Sequence, residues 1–145
     1  MPTSMKETRF ILKEAGLKKG QTFLELGSGD GRVTREAVTK YGVRGVGIEI
    51  NPVLILISRL WIKIRKIKNV EFKKEDILKT DLSQADILYL FLFPELIAKF
   101  SQKIKNKGKK NLLVISHGFK VDGFEKYLFK TIKHIPFPTY YYHLK

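Results

Sequence analysis

Cysteine is absent from this sequence of 145 residues, and histidine, methionine and tryptophan are scarce, at three, two and one residues. Without cysteine the chain can form no disulfide, no thiolate metal site and no covalent cysteine intermediate. Three scattered histidines do not make a convincing metal site either, so we expect no bound metal. Any chemistry must come from other groups.

Long apolar runs are missing as well. No stretch approaches the roughly 20 apolar residues that a membrane-spanning helix needs. The first ten residues, MPTSMKETRF, lack the apolar run of a signal peptide. We therefore expect a soluble, cytoplasmic protein. Its length and its 43% hydrophobic content fit one compact domain over residues 1–145.

Acidic residues are few compared with basic ones. The chain carries 28 Lys and Arg against 14 Asp and Glu, a net charge of +14, which is typical of proteins that bind nucleic acid or another anionic surface. However, 22 of these cations are lysines spread over the whole chain, whereas base and bidentate phosphate recognition prefers arginine. A lysine-rich solvated surface explains the composition equally well, so both interpretations stay open.

Apolar patterns alternate between strands and helices along the chain. Strands are predicted within 21–27, 43–50, 70–76, 85–93 and 111–117, and helices within 5–15, 31–42, 53–67 and 94–105. After Phe119, two β-rich pieces joined by a proline-containing turn predict an antiparallel hairpin at the sheet edge, in which Tyr140–Tyr142 alternate between core and surface. The alternation predicts an α/β fold with a doubly wound, mostly parallel sheet that binds ligands at the carboxyl ends of its strands.

The predicted helix 53–67 is apolar on more than one side. Its predicted core stripe is Val53, Ile57, Leu60, Ile64 and Ile67. Leu54 and Trp61 form a second apolar strip flanked by arginine and lysine. Such a basic amphipathic helix can contact a membrane surface or a second copy of the chain. Alternatively, Trp61 covers neighbouring surface with its ring partly exposed.

The segment FLELGSGDGR (23–32) places Glu25 just ahead of three alternating glycines. It lacks the third glycine of a dinucleotide fingerprint, where Arg32 stands, and the lysine of a P-loop. Glu25 repels a pyrophosphate and favours a cationic group. The glycines let the backbone approach such a ligand closely.

Two further carboxylates stand at predicted strand ends. Glu49 follows the loop by about 20 residues, where a carboxylate can accept both hydroxyls of a ribose. Asp76 closes the third strand, where it can bind an adenine amino group beside the apolar edge of Ile77. A ligand with a positive charge, a ribose and an adenine is S-adenosylmethionine.

In these residues the chain resembles the class I S-adenosylmethionine-dependent methyltransferases. Glu25 with its glycines, Glu49 and Asp76 fit the three acidic positions of that superfamily. The resemblance implies S-adenosylmethionine as cofactor, S-adenosylhomocysteine as product and no metal. The residues predicted to hold the cofactor are Glu25, Gly27, Ser28, Gly29, Asp30, Gly31, Glu49, Ile50, Asn51, Asp76, Ile77, Phe91 and Leu92.

A narrower resemblance is to the small archaeal protein-lysine methyltransferases and their relatives, which include the mitochondrial enzyme that modifies a lysine of the c-type ring protein of ATP synthase. The matching segments are PTS (2–4), LGSGDGR (26–32), GIEINP (47–52) with SR (58–59), and DLSQAD (81–86). This resemblance implies a protein partner with an acceptor lysine, and it places Thr3 near the cofactor. We therefore expect an N-terminal helix and cofactor lid (1–20), a cofactor-binding core (21–117) and an edge hairpin (118–145).

An acceptor lysine must first lose its proton, which a dry, aromatic-lined pocket promotes. Phe93, Pro94, His117 and Phe119 are the predicted walls of this pocket, at the ends of the fourth and fifth strands. His117 is also a candidate proton acceptor, with a hydrogen-bonded structural role as the alternative. Methylation of RNA bound by the basic surface, or a cofactor-binding module without catalysis, are the other functions the sequence allows.

Overall fold

The computed structural model describes residues 3–144. Within them, seven strands join in one sheet of order β3-β2-β1-β4-β5-β7-β6. The strands are β1 (Thr22–Leu26), β2 (Arg44–Glu49), β3 (Val70–Lys74), β4 (Ile87–Leu90), β5 (Leu113–His117), β6 (Leu128–Ile132) and β7 (Thr139–His143). The first five strands pair in parallel, and β7 is antiparallel to both β5 and β6. The predicted α/β sheet with a C-terminal antiparallel hairpin is confirmed.

Four helices pack on this sheet: α1 (Met5–Lys13), α2 (Arg32–Tyr41), α3 (Pro52–Ile64) and α4 (Pro94–Lys107). Local signals explain where they begin. The Asn51 side chain accepts hydrogen bonds from the first amides of α3, and Pro52 occupies its first position. The Ser4 hydroxyl accepts a hydrogen bond from the Glu7 amide at the start of α1. Within residues 3–144, none of these helices is both long enough and apolar enough to cross a bilayer.

The core lies in two layers, one on each face of the sheet. On one face, α1 and α2 contribute Ile11, Leu12, Ala37 and Val38, which pack on strand residues such as Phe23. On the other face, α4 and the segment before β4 pack on alternate strand residues. The central strands β1 and β4 are therefore covered on both faces, which explains their continuous apolar runs.

The C-terminal hairpin does not present β7 at the edge, since β7 lies between β5 and β6. Tyr141 and Tyr142 are both buried, on opposite faces. The hydroxyl of Tyr141 donates to the Ile11 carbonyl at 2.6 Å, and that of Tyr142 accepts from the Val121 amide at 2.9 Å. The prediction that the tyrosine run alternates between core and surface was wrong, because an interior strand is covered on both faces.

The core stripe predicted for α3 was also wrong. Val53, Leu60 and Ile64 are 62%, 47% and 72% exposed, and Ile57 is 36% exposed, whereas Ile55 and Ser58 are buried. The Ser58 hydroxyl donates to the Gly29 carbonyl at 3.1 Å, which turns the face carrying Ser58 toward the glycine loop and the sheet. Only Ile67, just beyond the helix, packs partly against the core as predicted.

We predict that Tyr141→Phe lowers the free energy of unfolding by about 1–2 kcal/mol, because the buried Ile11 carbonyl loses its tyrosine hydroxyl donor. Chemical denaturation monitored by circular dichroism measures the change. Tyr140→Phe is the matched control, since the Tyr140 ring is only partly buried. Equal stability of the two variants would show that the Tyr141 hydroxyl contributes nothing.

Candidate active site

A cavity of about 410 Å³ opens at the carboxyl ends of β1 and β4. The chain leaves β1 toward β2 on one side, and β4 pairs with β1 on the other, so this is the switch point at which α/β sheets bind ligands. Eight predicted cofactor residues line it: Thr3, Glu25, Gly27, Ser28, Gly29, Asp30, Phe91 and Leu92. The predicted pocket walls Phe93 and Phe119 line the same cavity.

The glycine loop reaches the cavity through left-handed backbone. Gly27, Gly29 and Gly31 have φ angles of 77°, 57° and 83°, which other residues rarely adopt. At Gly31 a Cβ atom would also lie 2.6 Å from the Phe72 ring. The amides of Gly27 and Ser28 both donate to the Ile48 carbonyl at 2.8 Å, which ties the loop to the end of β2.

Glu25 is the most strongly perturbed group of the cavity. Burial raises the pKa of its carboxyl to about 8, although the amide and hydroxyl of Thr34 donate to it at 3.2 and 2.7 Å and partly oppose this shift. A carboxyl group in this position gains strongly from a cation placed beside it. This is the property required to hold the ammonium group of an amino-acid ligand.

Buried hydroxyls surround Glu25. Tyr89 lies directly across from Glu25 in the β1–β4 register, and its hydroxyl and that of Ser28 are buried without hydrogen-bond partners among residues 3–144. Both residues line the cavity. Unpartnered buried hydroxyls are costly unless a ligand satisfies them. The site thus fits the polar amino-acid end of S-adenosylmethionine.

Glu49 joins the glycine loop to the start of α3. One of its carboxylate oxygens accepts from the Gly29 amide at 2.9 Å, and the other accepts from the amides of Ile50 and Asn51 at 3.1 and 3.0 Å. A carboxylate has about four acceptor positions, so a position is left for a ribose hydroxyl. Glu49 does not line the cavity itself.

Five other predicted cofactor residues also lie outside the cavity lining: Gly31, Ile50, Asn51, Asp76 and Ile77. Asp76 accepts a hydrogen bond from the Leu78 amide at 2.9 Å and begins a short 3-10 turn. Ile50 is 60% exposed beside the start of α3. For these residues and for Glu49, contact with the cofactor stays a prediction.

Arg32, Val33, Leu54 and Tyr89 line the cavity without having been predicted. The guanidinium of Arg32 pairs with Asp30 at 2.7 Å and donates to the Thr3 carbonyl at 3.2 Å. Although partial burial opposes ionisation of Asp30, the hydrogen bonds from Arg32 outweigh it and lower the pKa of Asp30. Arg32 therefore fastens the segment before α1 to the glycine loop. The sequence signal was a cation at the first position of a helix, where the dipole disfavours it.

His117 belongs to a hydrogen-bonded chain beside the cavity and not to its lining. Burial and the neighbouring His134 lower the pKa of His117 to about 4, so the ring is neutral at pH 7. Its Nε2 lies 2.8 Å from the Glu7 carboxylate, which requires Nε2 to donate, and its Nδ1 then accepts from Thr139 at 2.8 Å. Thr139 in turn accepts from His134 at 2.7 Å. With both nitrogens occupied, the geometry favours the structural role over that of a base.

Aromatic rings gather where β4 and β5 end. The centroid of Phe119 lies 5.8 Å from that of Phe93 and 6.1 Å from that of Phe137, and Phe91 lies 5.4 Å from Phe137. We call Phe91, Phe93, Phe119 and Phe137 the aromatic mouth. Phe137 contributes from the hairpin, 18 residues after Phe119 in the sequence, and sequence reasoning missed it.

Comparison with known proteins agrees with this geometry. A crystal structure of an RNA methyltransferase from Salinibacter ruber, in complex with S-adenosyl-L-homocysteine, superposes with a TM-score of 0.93 at 28% identity, over 99% of this chain and 94% of that one. A protein-lysine N-methyltransferase of Saccharolobus islandicus is 27% identical over 85% of this chain and 78% of its own length. A lysine N-methyltransferase of Caenorhabditis elegans, named for the c-type ring protein of ATP synthase, is 35% identical over 61% of this chain, which spans 48% of that protein.

Fold and site together define a Rossmann-like, S-adenosylmethionine-dependent methyltransferase. Residues 25–127 match the model of the ANTKMT methyltransferase domain. The chain belongs to that family. The class I fold, the cofactor and the narrower family resemblance inferred from the sequence are confirmed.

We predict that cofactor binding depends on pH through Glu25. The folded pKa of about 8 exceeds the ordinary 4.5, so a bound ammonium group must displace a proton from Glu25 below pH 8. Affinity should rise up to about tenfold per pH unit from about pH 6, then fall above about pH 8 as the cofactor's own amino group is deprotonated. Calorimetry in buffers of different ionisation enthalpy should detect the released proton.

In Glu25→Gln this rise in affinity should disappear, and affinity should drop at least about a hundredfold. Because protonation of Glu25 favours the folded state, the stability of the ligand-free protein declines as pH rises from about 4.5 toward 8. The variant should be the more stable protein at pH 8. Glu95→Gln, on the exposed start of α4, is the control. An unchanged pH profile in Glu25→Gln would remove Glu25 from the ammonium site.

For Glu49→Ala we expect two effects. Ligand-free stability should fall by about 1–3 kcal/mol because three backbone amides lose their acceptor, and cofactor affinity should fall about tenfold or more. Thermal unfolding and calorimetry report them separately, with Asp76→Ala for comparison. A loss of affinity with unchanged stability would show that Glu49 serves the ribose and not the loop.

Proposed function

We propose that this methyltransferase modifies the side-chain amine of a lysine in a protein partner. The observation that carries the proposal is the aromatic mouth, whose rings line or adjoin the cofactor cavity. When bound, S-adenosylmethionine supplies a methyl group on a sulfonium, which an uncharged amine accepts by in-line displacement. The task left to the chain is to orient the amine and keep it uncharged.

The aromatic mouth suits that task through desolvation. An ammonium group that enters an apolar, ring-lined space loses hydration, so its pKa falls toward the physiological range and the neutral amine becomes accessible. Phe91, Phe93 and Phe119 line this space directly. With both nitrogens of His117 occupied, the proposed catalysis consists of positioning and desolvation, and the proton leaves to solvent.

The names of relatives support a lysine acceptor. The Saccharolobus protein is named for protein lysine, and the nematode and human relatives are named for a lysine of the c-type ring protein of ATP synthase. This chain spans about half the length of the two animal proteins, so their particular substrate is not transferred here. We propose the acceptor class alone, with the cytoplasm as the compartment.

RNA methylation is the second candidate. The Salinibacter structure with a TM-score of 0.93 is described as an RNA methyltransferase, and the net charge of +14 offers an electrostatic surface for phosphates. The aromatic mouth accepts a base as readily as an alkyl amine. The substrate must therefore be identified by experiment.

The decisive measurement is transfer of labelled methyl groups to a cell extract, followed by separate nuclease and protease treatment. We expect the label to survive nuclease, to vanish with protease, and to appear as methyllysine after acid hydrolysis. Label lost to nuclease would replace lysine with RNA as the acceptor. Cofactor binding without any label would favour a non-catalytic module.

Phe119→Ala tests the role of the aromatic mouth. The turnover number should fall at least about tenfold at pH 7, while the cofactor dissociation constant changes less than about twofold. Because a wetter site leaves the acceptor pKa nearer 10.4, raising the pH should recover part of the activity. Phe129→Ala, an exposed ring on β6, is the control. A rate deficit that is independent of pH would contradict desolvation.

A further inference from the structure

The solvent-facing side of α3 is a continuous apolar ridge. Val53, Leu56, Leu60 and Ile64 follow one another at spacings of three or four residues and are 62%, 59%, 47% and 72% exposed. At 100° per residue these four positions fall on one side of the helix. We call these four residues the α3 ridge. Ile57 and Trp61 border it and are also partly exposed.

The ridge is not needed for folding, because α3 already packs on the sheet with its other side. Ile55 and Ser58 are buried there, and the Arg59 guanidinium donates to the Phe72 carbonyl of β3 at 2.9 Å. An apolar stripe of this length normally faces a protein core. Here it lies beside the sheet edge formed by β3, and within residues 3–144 no other element covers it.

Cations surround the ridge. Residues 51–69 contain five lysines and arginines and no acidic residue. The Trp61 ring lies between two guanidinium groups, with Arg35 at 5.2 Å and Arg65 at 5.0 Å from the ring centroid. Lys63 stands in the last turn of the helix. An apolar stripe with tryptophan at its border and cations beside it has the design of an interfacial helix.

We propose that the α3 ridge docks this protein on the surface of an anionic membrane. The cations complement acidic lipid headgroups, and the ridge residues enter the boundary between headgroups and acyl chains. A second copy of the chain is a poor occupant, because two molecules of charge +14 would face each other with their cationic borders. RNA is a poor occupant too, since its phosphates gain nothing from leucine and isoleucine.

Docking through the ridge sets the position of the active site. α3 begins three residues after the end of β2, and its Leu54 lines the cofactor cavity. Ile50 and Phe93, 60% and 70% exposed, lie at the same carboxyl ends of the strands. The membrane would therefore lie close to the opening through which an acceptor enters. The docking inference does not depend on whether that acceptor is lysine or RNA.

Vesicle flotation with the full chain tests the proposal. Vesicles of phosphatidylcholine with about 30% phosphatidylglycerol should carry the protein upward, and pure phosphatidylcholine vesicles should carry much less. The double variant Leu56→Gln/Ile64→Gln should reduce binding to anionic vesicles at least about tenfold. Raising NaCl from about 0.1 to about 0.5 M should weaken wild-type binding as the headgroup attraction is screened.

The matched control is Leu78→Gln/Phe129→Gln, which removes two partly exposed apolar residues outside α3 and should bind as wild type. Calorimetry with S-adenosylmethionine verifies that all proteins are folded. Failure of the wild type to float, or equal flotation of the ridge variant, would overturn the proposal. So would sedimentation data in which the ridge variant loses a dimer while vesicle binding persists.

Discussion

The carboxyl group of Glu25, buried where β1 ends, is the charge around which this site is organised. Burial raises its pKa to about 8, so the ligand-free protein holds it at a cost that a cationic ligand removes. The sheet places Tyr89 opposite it, and the glycine loop brings Ser28 over it with a buried hydroxyl lacking a partner among residues 3–144. Polar groups that are unfavourable in the free protein become favourable around one kind of ligand, the amino-acid end of S-adenosylmethionine. Affinity for the cofactor and the modest stability of its empty site therefore have the same origin.

Two distant parts of the chain close this site. The segment before α1 is held by Arg32 through the Thr3 carbonyl, and α1 itself is held by the contact of Glu7 with His117 at 2.8 Å. His117 is supported from behind by Thr139 of β7, and Thr139 by His134. The N-terminal segment is thus connected to the C-terminal hairpin through one neutral imidazole. Because the same hairpin supplies Phe137 to the aromatic mouth, cofactor lid and acceptor entrance share a support.

The position of α3 links the cofactor site to the outer surface. Glu49 and Ser58 fasten the helix to the glycine loop from its two sides, through the Gly29 amide and the Gly29 carbonyl. This attachment decides which face of α3 meets the sheet, and it leaves the ridge of Val53, Leu56, Leu60 and Ile64 in solvent. A constraint that serves cofactor binding inside the molecule therefore produces an apolar, cation-bordered surface outside it.

By itself, the sequence determined the order of strands and helices, the parallel sheet, the glycine loop and the acidic residue before it, since these depend on local patterns of apolar residues, caps and glycines. Periodicity could not determine the buried face of α3, because the helix is apolar on both sides and only contact of Ser58 with Gly29 selects one. Nor could it show that Tyr141 and Tyr142 are both buried, which follows from β7 lying between β5 and β6. Tyr89, Arg32 and Phe137 likewise became recognisable as neighbours of the cofactor site only in the folded chain. Their partners are set by strand register and by hairpin packing across many residues, and these long-range contacts are decided by tertiary structure alone.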